Sequence, residues 1–186
     1  YTVTVTDVNN CQKTISVEIT EPPSAIALVS DIVTDATGFG LSNGSVEVVI
    51  NGGVLPYTYV WTDASNAIIS NTEVIEDVPA GIYTLNVKDA NNCALNSTDF
   101  EVEQPELLVI DIIEGQKITC NGDFGILNAS AVGGATPYTY SWKDTAGTVV
   151  STSIDSGLLN AGVYELTVTD KNDNAAIKTF DLMQPD

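Results

Sequence analysis

The side chains most suggestive of chemistry are oxygens set in turns. Asp170-Lys171-Asn172-Asp173-Asn174 places carboxylate and amide oxygens at alternate positions, as a calcium loop begins. Asp170, Asn172 and Asn174 are thus candidate calcium ligands, and calcium is the only cofactor that the residues suggest. Asp89-Ala90-Asn91-Asn92 and Asp7-Val8-Asn9-Asn10 are shorter versions of the same pattern. The glycine that lets a calcium loop turn sharply is missing after Asn174, and Asn and Asp suit tight hairpin turns on their own account. Turn chemistry is the stronger reading. A second cluster, Glu73, Glu76 and Asp77, has the carboxylate pairs a glycosidase uses. A solvated strand or loop explains it more simply, so no catalytic residue is assigned. Two aromatic triplets form the third set: Tyr57, Tyr59, Trp61 and Tyr138, Tyr140, Trp142. They suit either a sugar-stacking platform or a sandwich core, and side chains sharing one strand face are usually packing material.

What the chain lacks narrows its chemistry. Its 186 residues include six lysines, no arginine and no histidine against 25 acidic residues, a net charge of −19. Without histidine there is no Ser-His-Asp or Cys-His pair and no imidazole ligand. Without arginine there is no bidentate phosphate clamp. Nucleic acid is excluded as a partner, since binding it takes clustered cations that displace counterions from phosphates. An anionic membrane surface is disfavoured by the same sign argument. No apolar run reaches the length of a membrane span, so membrane insertion is not expected. The chain reads as non-enzymatic.

These residues must be positioned by β structure. Val, Ile, Thr and Tyr are abundant, with Gly, Asn and Asp between them at short intervals. An internal repeat then sets the organisation. Gly52-Gly53-Val54-Leu55-Pro56-Tyr57-Thr58-Tyr59-Val60-Trp61 recurs 81 residues later as Gly133-Gly134-Ala135-Thr136-Pro137-Tyr138-Thr139-Tyr140-Ser141-Trp142. Tyr83-Thr84-Leu85-Asn86-Val87-Lys88-Asp89 matches both Tyr164-Glu165-Leu166-Thr167-Val168-Thr169-Asp170 and Tyr1-Thr2-Val3-Thr4-Val5-Thr6-Asp7. The chain therefore divides into the closing strands of one repeat (1–23), a whole repeat (24–105) and another (106–186). Because it opens inside a strand pattern, it reads as a piece of something longer. Pro22, Pro105 and Pro185 end the three units, where a residue without an N–H can close a strand. The connections are short and carry no Gly/Ser tract, so stiff end-to-end stacking is expected.

Within a unit the periodicity is two. Tyr83, Leu85 and Val87 face one side and Thr84, Asn86 and Lys88 the other. About seven strands are expected in the complete unit, near 25–33, 45–51, 56–62, 66–70, 72–77, 81–89 and 97–104. That number fits an all-β architecture of tandem immunoglobulin-like β-sandwiches, with Trp61 and Trp142 on the third strand and Tyr83 and Tyr164 opening the sixth. A jelly roll or barrel spanning both units is the rival, and the in-register repeat argues against it. The expected core residues are Tyr57, Tyr59, Trp61, Tyr83, Tyr138, Tyr140, Trp142 and Tyr164.

At GG-x-x-PYTY-x-W, AG-x-Y and V-x-D-x-NN-C the chain resembles the SprB repeat, a module found in tandem in very large surface adhesins of gliding Bacteroidetes. The resemblance covers residues 24–186 and the tail at 1–23. It implies export by the type IX secretion system, a place at the cell surface (outer-membrane associated through the parent protein), and adhesion to surfaces during gliding. The implied partners are neighbouring repeats of the same chain and a surface polysaccharide or abiotic surface. A carbohydrate-binding or spacer module of a secreted polysaccharide-degrading enzyme is the alternative.

The resemblance also implies two cysteine places per repeat, one after the first strand and one in the turn between the last two. Cys120 matches the first; Cys11 and Cys93 match the second. At an offset of 81 the first place falls on Phe39 in the repeat 24–105, and the second on Asn174 in the repeat 106–186. The two places lie at opposite ends of one sandwich. The implied bridges therefore join successive repeats, with partners for Cys11, Cys93 and Cys120 outside this stretch. Asp144-Thr145-Ala146 resembles an O-glycosylation motif of exported Bacteroidetes proteins, which makes Thr145 a candidate site. Asn43, Asn96 and Asn128 head N-glycosylation sequons, which carry little meaning in a bacterial protein.

Overall fold

The computed structural model describes residues 1–21 and 24–185; Pro22, one of the repeat-ending prolines, lies outside them. Every regular element among the described residues is a strand. The first two, β1 (Thr2–Thr6) and β2 (Gln12–Ser16), form a two-stranded antiparallel hairpin. Seven strands follow in the first complete repeat: β3 (Ala27–Thr34), β4 (Gly44–Asn51), β5 (Thr58–Asp63), β6 (Ile68–Ser70), β7 (Val74–Val78), β8 (Gly81–Lys88) and β9 (Thr98–Val102). They make a three-stranded sheet, β3-β4-β7, and a four-stranded sheet, β6-β5-β8-β9. The second complete repeat contributes β10 (Val109–Gln116), β11 (Ile126–Val132), β12 (Thr139–Lys143), β13 (Val149–Ser151), β14 (Gly162–Thr169) and β15 (Ala175–Leu182). Its sheets are β10-β11 and β13-β12-β14-β15.

Period-two alternation explains the layering. In β8, Tyr83, Leu85 and Val87 are buried while Ile82, Asn86 and Lys88 are exposed. Inward residues from the two facing sheets meet in a core of Val46, Val48, Trp61, Ile75, Leu85 and Val102. The second repeat has its own core, with Leu127, Trp142, Leu159, Leu166, Val168 and Leu182. Each tryptophan is fully buried and still satisfies its indole N–H, as a buried Trp requires. Trp61 Nε1 donates to the Thr72 carbonyl at 2.9 Å, and Trp142 Nε1 to that of Ser153 at 3.1 Å. Tyr83 and Tyr164 are also buried, and their hydroxyls reach back to the carbonyls of Pro79 and Asn160. This is the tyrosine corner of immunoglobulin-like sandwiches. Tyr57, Tyr59, Tyr138 and Tyr140 pack half-buried against the edges of the cores.

The β1–β2 hairpin has no facing sheet among the described residues. Tyr1, Val3, Val5, Ile15, Val17 and Ile19 are exposed, although the counterparts of Tyr1, Val3 and Val5 in β8 (Tyr83, Leu85, Val87) and β14 (Tyr164, Leu166, Val168) fill a core.

Candidate functional site: the hairpin turns and the repeat junction

Each repeat buries one aspartate at the end of its penultimate strand, Asp89 after β8 and Asp170 after β14. One oxygen of Asp89 accepts from the backbone N–H of Asn91 and of Cys93, closing the hairpin turn. The other accepts from Val54 N–H, in the Gly-Gly loop before the aromatic strand. Asp170 does the same with Asn172, Asn174 and Ala135, and also accepts from Asn174 Nδ2. Burial opposes ionisation of Asp89, but the N–H groups of Val54, Cys93 and Asn91 outweigh it and hold the carboxyl below the usual range. Burial acts likewise on Asp170 and is outweighed by the Asn174 amide and the N–H groups of Ala135, Asn174 and Asn172. The glycines across the loop are required by this approach. Gly53 and Gly134 have φ of 62°, and a Cβ there would press on the Asp89 or Asp170 side chain. These aspartates clasp two segments that sequence periodicity treats separately.

The three candidate calcium ligands share this turn. Asp170 is committed to the four donors just described, and the amide nitrogens of Asn172 and Asn174 both donate to the carbonyl of Thr37, at 2.8 and 2.9 Å. No group of three or more His, Cys, Asp or Glu side chains is placed to hold a metal ion among the described residues. Thr37 belongs to the preceding repeat, so the turn of one sandwich binds the first loop of the one before it. A crevice at this junction is lined by Phe39, Leu107, Gly134, Asp170 and Asn174.

The remaining candidates are scattered. Glu73, Glu76 and Asp77 are all exposed, on or beside β7, a solvated edge. Thr145 is exposed in the turn between β12 and β13. Asn43 is exposed and clasps Thr37 through its side-chain oxygen and nitrogen; Asn96 is exposed, and Asn128 is half-buried on β11. Cys11, Cys93 and Cys120 are free and exposed. Tyr57 and Tyr59 meet edge to face with ring centroids 6.4 Å apart, and with Glu47, Leu55 and Glu73 they border an open groove.

One alignment needs correcting. The first cysteine place falls on Gly38, not Phe39. A bulge between Glu114 and Gln116 adds a residue to the end of β10 that β3 does not have at its own end. Equivalent backbone bonds show the shift: Leu41 N–H donates to the Gly38 carbonyl, and Asp123 N–H to that of Cys120. The second place stands: Cys11, Cys93 and Asn174 each accept from the N–H of their turn aspartate.

With this geometry established, the chain can be compared with known families and structures. Residues 30–66 match the family model of the SprB repeat. The match runs from within β3 past the end of β5, inside the repeat 24–105. Over that stretch the chain is similar to the SprB repeat. No curated protein matches the chain. Among solved structures, the three N-terminal domains of the bacteriophage RB49 highly immunogenic outer capsid protein, Hoc, are similar at 21% identity and a TM-score of 0.52. The similarity covers 86% of this chain and 59% of that one, so the chain spans under two thirds of the length of Hoc's solved fragment. A C-terminal fragment of intimin, solved with the intimin-binding domain of its translocated receptor, is similar at 18% identity and a TM-score of 0.46, covering 84% and 64%. The Hoc likeness concerns the fold alone, and it agrees with two immunoglobulin-like sandwiches in tandem.

Proposed function

We propose that the chain is a non-catalytic stretch of a large tandem-repeat adhesin, exported through the type IX pathway, whose stacked repeats give reach from the cell and attach it to surfaces during gliding. The observation that carries this reading is the bonded junction. Two hydrogen bonds from Asn172 and Asn174 to Thr37 clamp one SprB-type sandwich on the next, across a connection of a few residues between β9 and β10. A clamped array transmits force and keeps its length, which suits a stalk better than an enzyme. The aromatic triplets support it too, since Trp61 and Trp142 point into cores and leave no stacking platform of three rings. The net charge of −19 keeps such an array soluble and extended.

The groove beside Tyr57, Tyr59 and Glu73 favours a second reading, a carbohydrate-binding module. Beads carrying one, two or four copies of the 24–186 unit separate the two on glass and on polysaccharide films. Retention that rises steeply with copy number and ignores sugar competitors supports the adhesive stalk. Saturable binding of one polysaccharide by a single copy, lost in Tyr59→Ala, supports the carbohydrate module.

A further inference from the structure

The junction brings together the two places at which this chain carries its cysteines. At the junction between the two complete repeats these places hold Gly38 and Asn174. A Cβ built on Gly38 lies 2.8 Å from Cγ of Asn174 and closer still to its Oδ1. In a disulfide, a Cβ sits about 3 Å from the partner sulfur, as the S–S length and the angle at sulfur require. A cysteine Sγ takes roughly the place of an asparagine Cγ. The Gly38–Asn174 contact is thus the outline of a cystine with both sulfurs removed. Gly38 is buried, its φ lies outside the left-handed region, and the atoms nearest to a Cβ there all belong to Asn174 of the partner turn.

The same crevice recurs one repeat upstream. Gly134, Asp170, Asn174 and Ala175 line the junction, and their equivalents Gly53, Asp89, Cys93 and Ala94 line a crevice beside Glu21 and Ser24. Cys93 therefore occupies the turn side of a junction and Cys120 the loop side of another. Within one repeat the two places are at opposite ends, since each faces a different neighbour.

We propose that covalent bridges join successive repeats at these junctions. Cys120 pairs with a turn cysteine of a following repeat, and Cys93 and Cys11 pair with loop cysteines of preceding ones. The Gly38–Asn174 junction is a link held by hydrogen bonds alone. Closing a bridge takes one proton and one electron from each thiol; the two electrons reduce a small disulfide oxidant, which leaves as two thiols.

The test is Gly38→Cys combined with Asn174→Cys in the full chain, with Cys11, Cys93 and Cys120 changed to Ser. Oxidised glutathione should close one bond, read as a mass loss of two hydrogens and a 38–174 cross-linked peptide. Two free thiols in the folded, oxidised protein overturn the proposal. With the native cysteines retained, Gly38→Cys alone should not pair with Cys93, nor Asn174→Cys alone with Cys120; either bond inside a repeat overturns it. If the double variant does not fold, Asn174→Cys alone decides by maleimide kinetics. The covered thiol at position 174 should react at least about tenfold more slowly than Cys93, because access governs thiol reactivity, and equal rates overturn the proposal.

Discussion

In the repeat 24–105 the fifth strand, β7, ladders onto β4 through Gly44, Val46 and Glu47, with Ile75 and Val78 filling the core behind it. In the repeat 106–186 the equivalent stretch makes only two isolated bridges, Asn128 to Asp155 and Gly125 to Leu159. Leu159 keeps the place of Val78, but Ser156 stands where Ile75 does, and it is equally buried. Its hydroxyl takes over part of the lost ladder, accepting from Leu127 N–H at 2.9 Å and donating to the Gly157 carbonyl. One repeat closes this edge with an apolar strand, the other with a polar staple. Everything that holds the frame is the same in both: the buried Trp, the tyrosine corner and the clasping aspartate. An edge strand is thus the part of this sandwich that tolerates exchange, because a side-chain acceptor can replace a ladder acceptor while the opposite sheet stays intact.

The comparison is broken most severely at its shared centre. Trp61→Ala and Trp142→Ala should each cost about 3–5 kcal/mol, the range for emptying a large core site. Urea melts read by circular dichroism should show the substituted repeat unfolding before the transition that the remaining tryptophan reports for the intact one, and equal melts for both variants would show equal cores. At the edge the two repeats should part. Ser156→Ala leaves the buried Leu127 N–H without its acceptor and should cost about 1–3 kcal/mol. Ile75→Ser should not be neutral, because the β4–β7 ladder already provides the bonds a hydroxyl would make. A neutral Ile75→Ser would mean that the two edges are interchangeable. The corner should not distinguish them: Tyr83→Phe and Tyr164→Phe each remove one hydroxyl bond and should each cost about 0.5–1.5 kcal/mol. Unequal costs would show that the corner carries different loads in the two repeats.

The mildest effect is on pH. Asp89 and Asp170 have carboxyls held below their unfolded values, so ionisation stabilises the fold. That contribution is complete above the unfolded value, near pH 4, and is lost as pH falls through the lower folded value. Melts taken from pH ~7 down to ~2 should therefore show acid-side loss of stability. Asp89→Asn should flatten that loss in the first repeat alone, Asp170→Asn in the second alone. Loss of equal steepness in both variants and the unaltered protein would assign the acid sensitivity to other carboxylates.

Much of this was readable in the order of residues. The period of 81, the seven strands of the first complete repeat and the inward face of Tyr83, Leu85 and Val87 follow from alternation and turn residues, which act over a few positions. The SprB-type motif was legible for the same reason, being a set of turn and core residues at fixed spacing. Three features were decided only by tertiary structure. The bulge at the end of β10 moves Cys120 onto the place of Gly38, a one-residue shift that periodicity on either side does not record. Asp89 and Asp170 look like turn residues, and only the folded chain carries the Gly-Gly loop to their second oxygen. Asn172 and Asn174 have the spacing of cation ligands, yet their nitrogens point at Thr37, some 135 residues away in sequence. Local spacing sets which atoms are available; which of them meet depends on contacts between segments that share no periodicity.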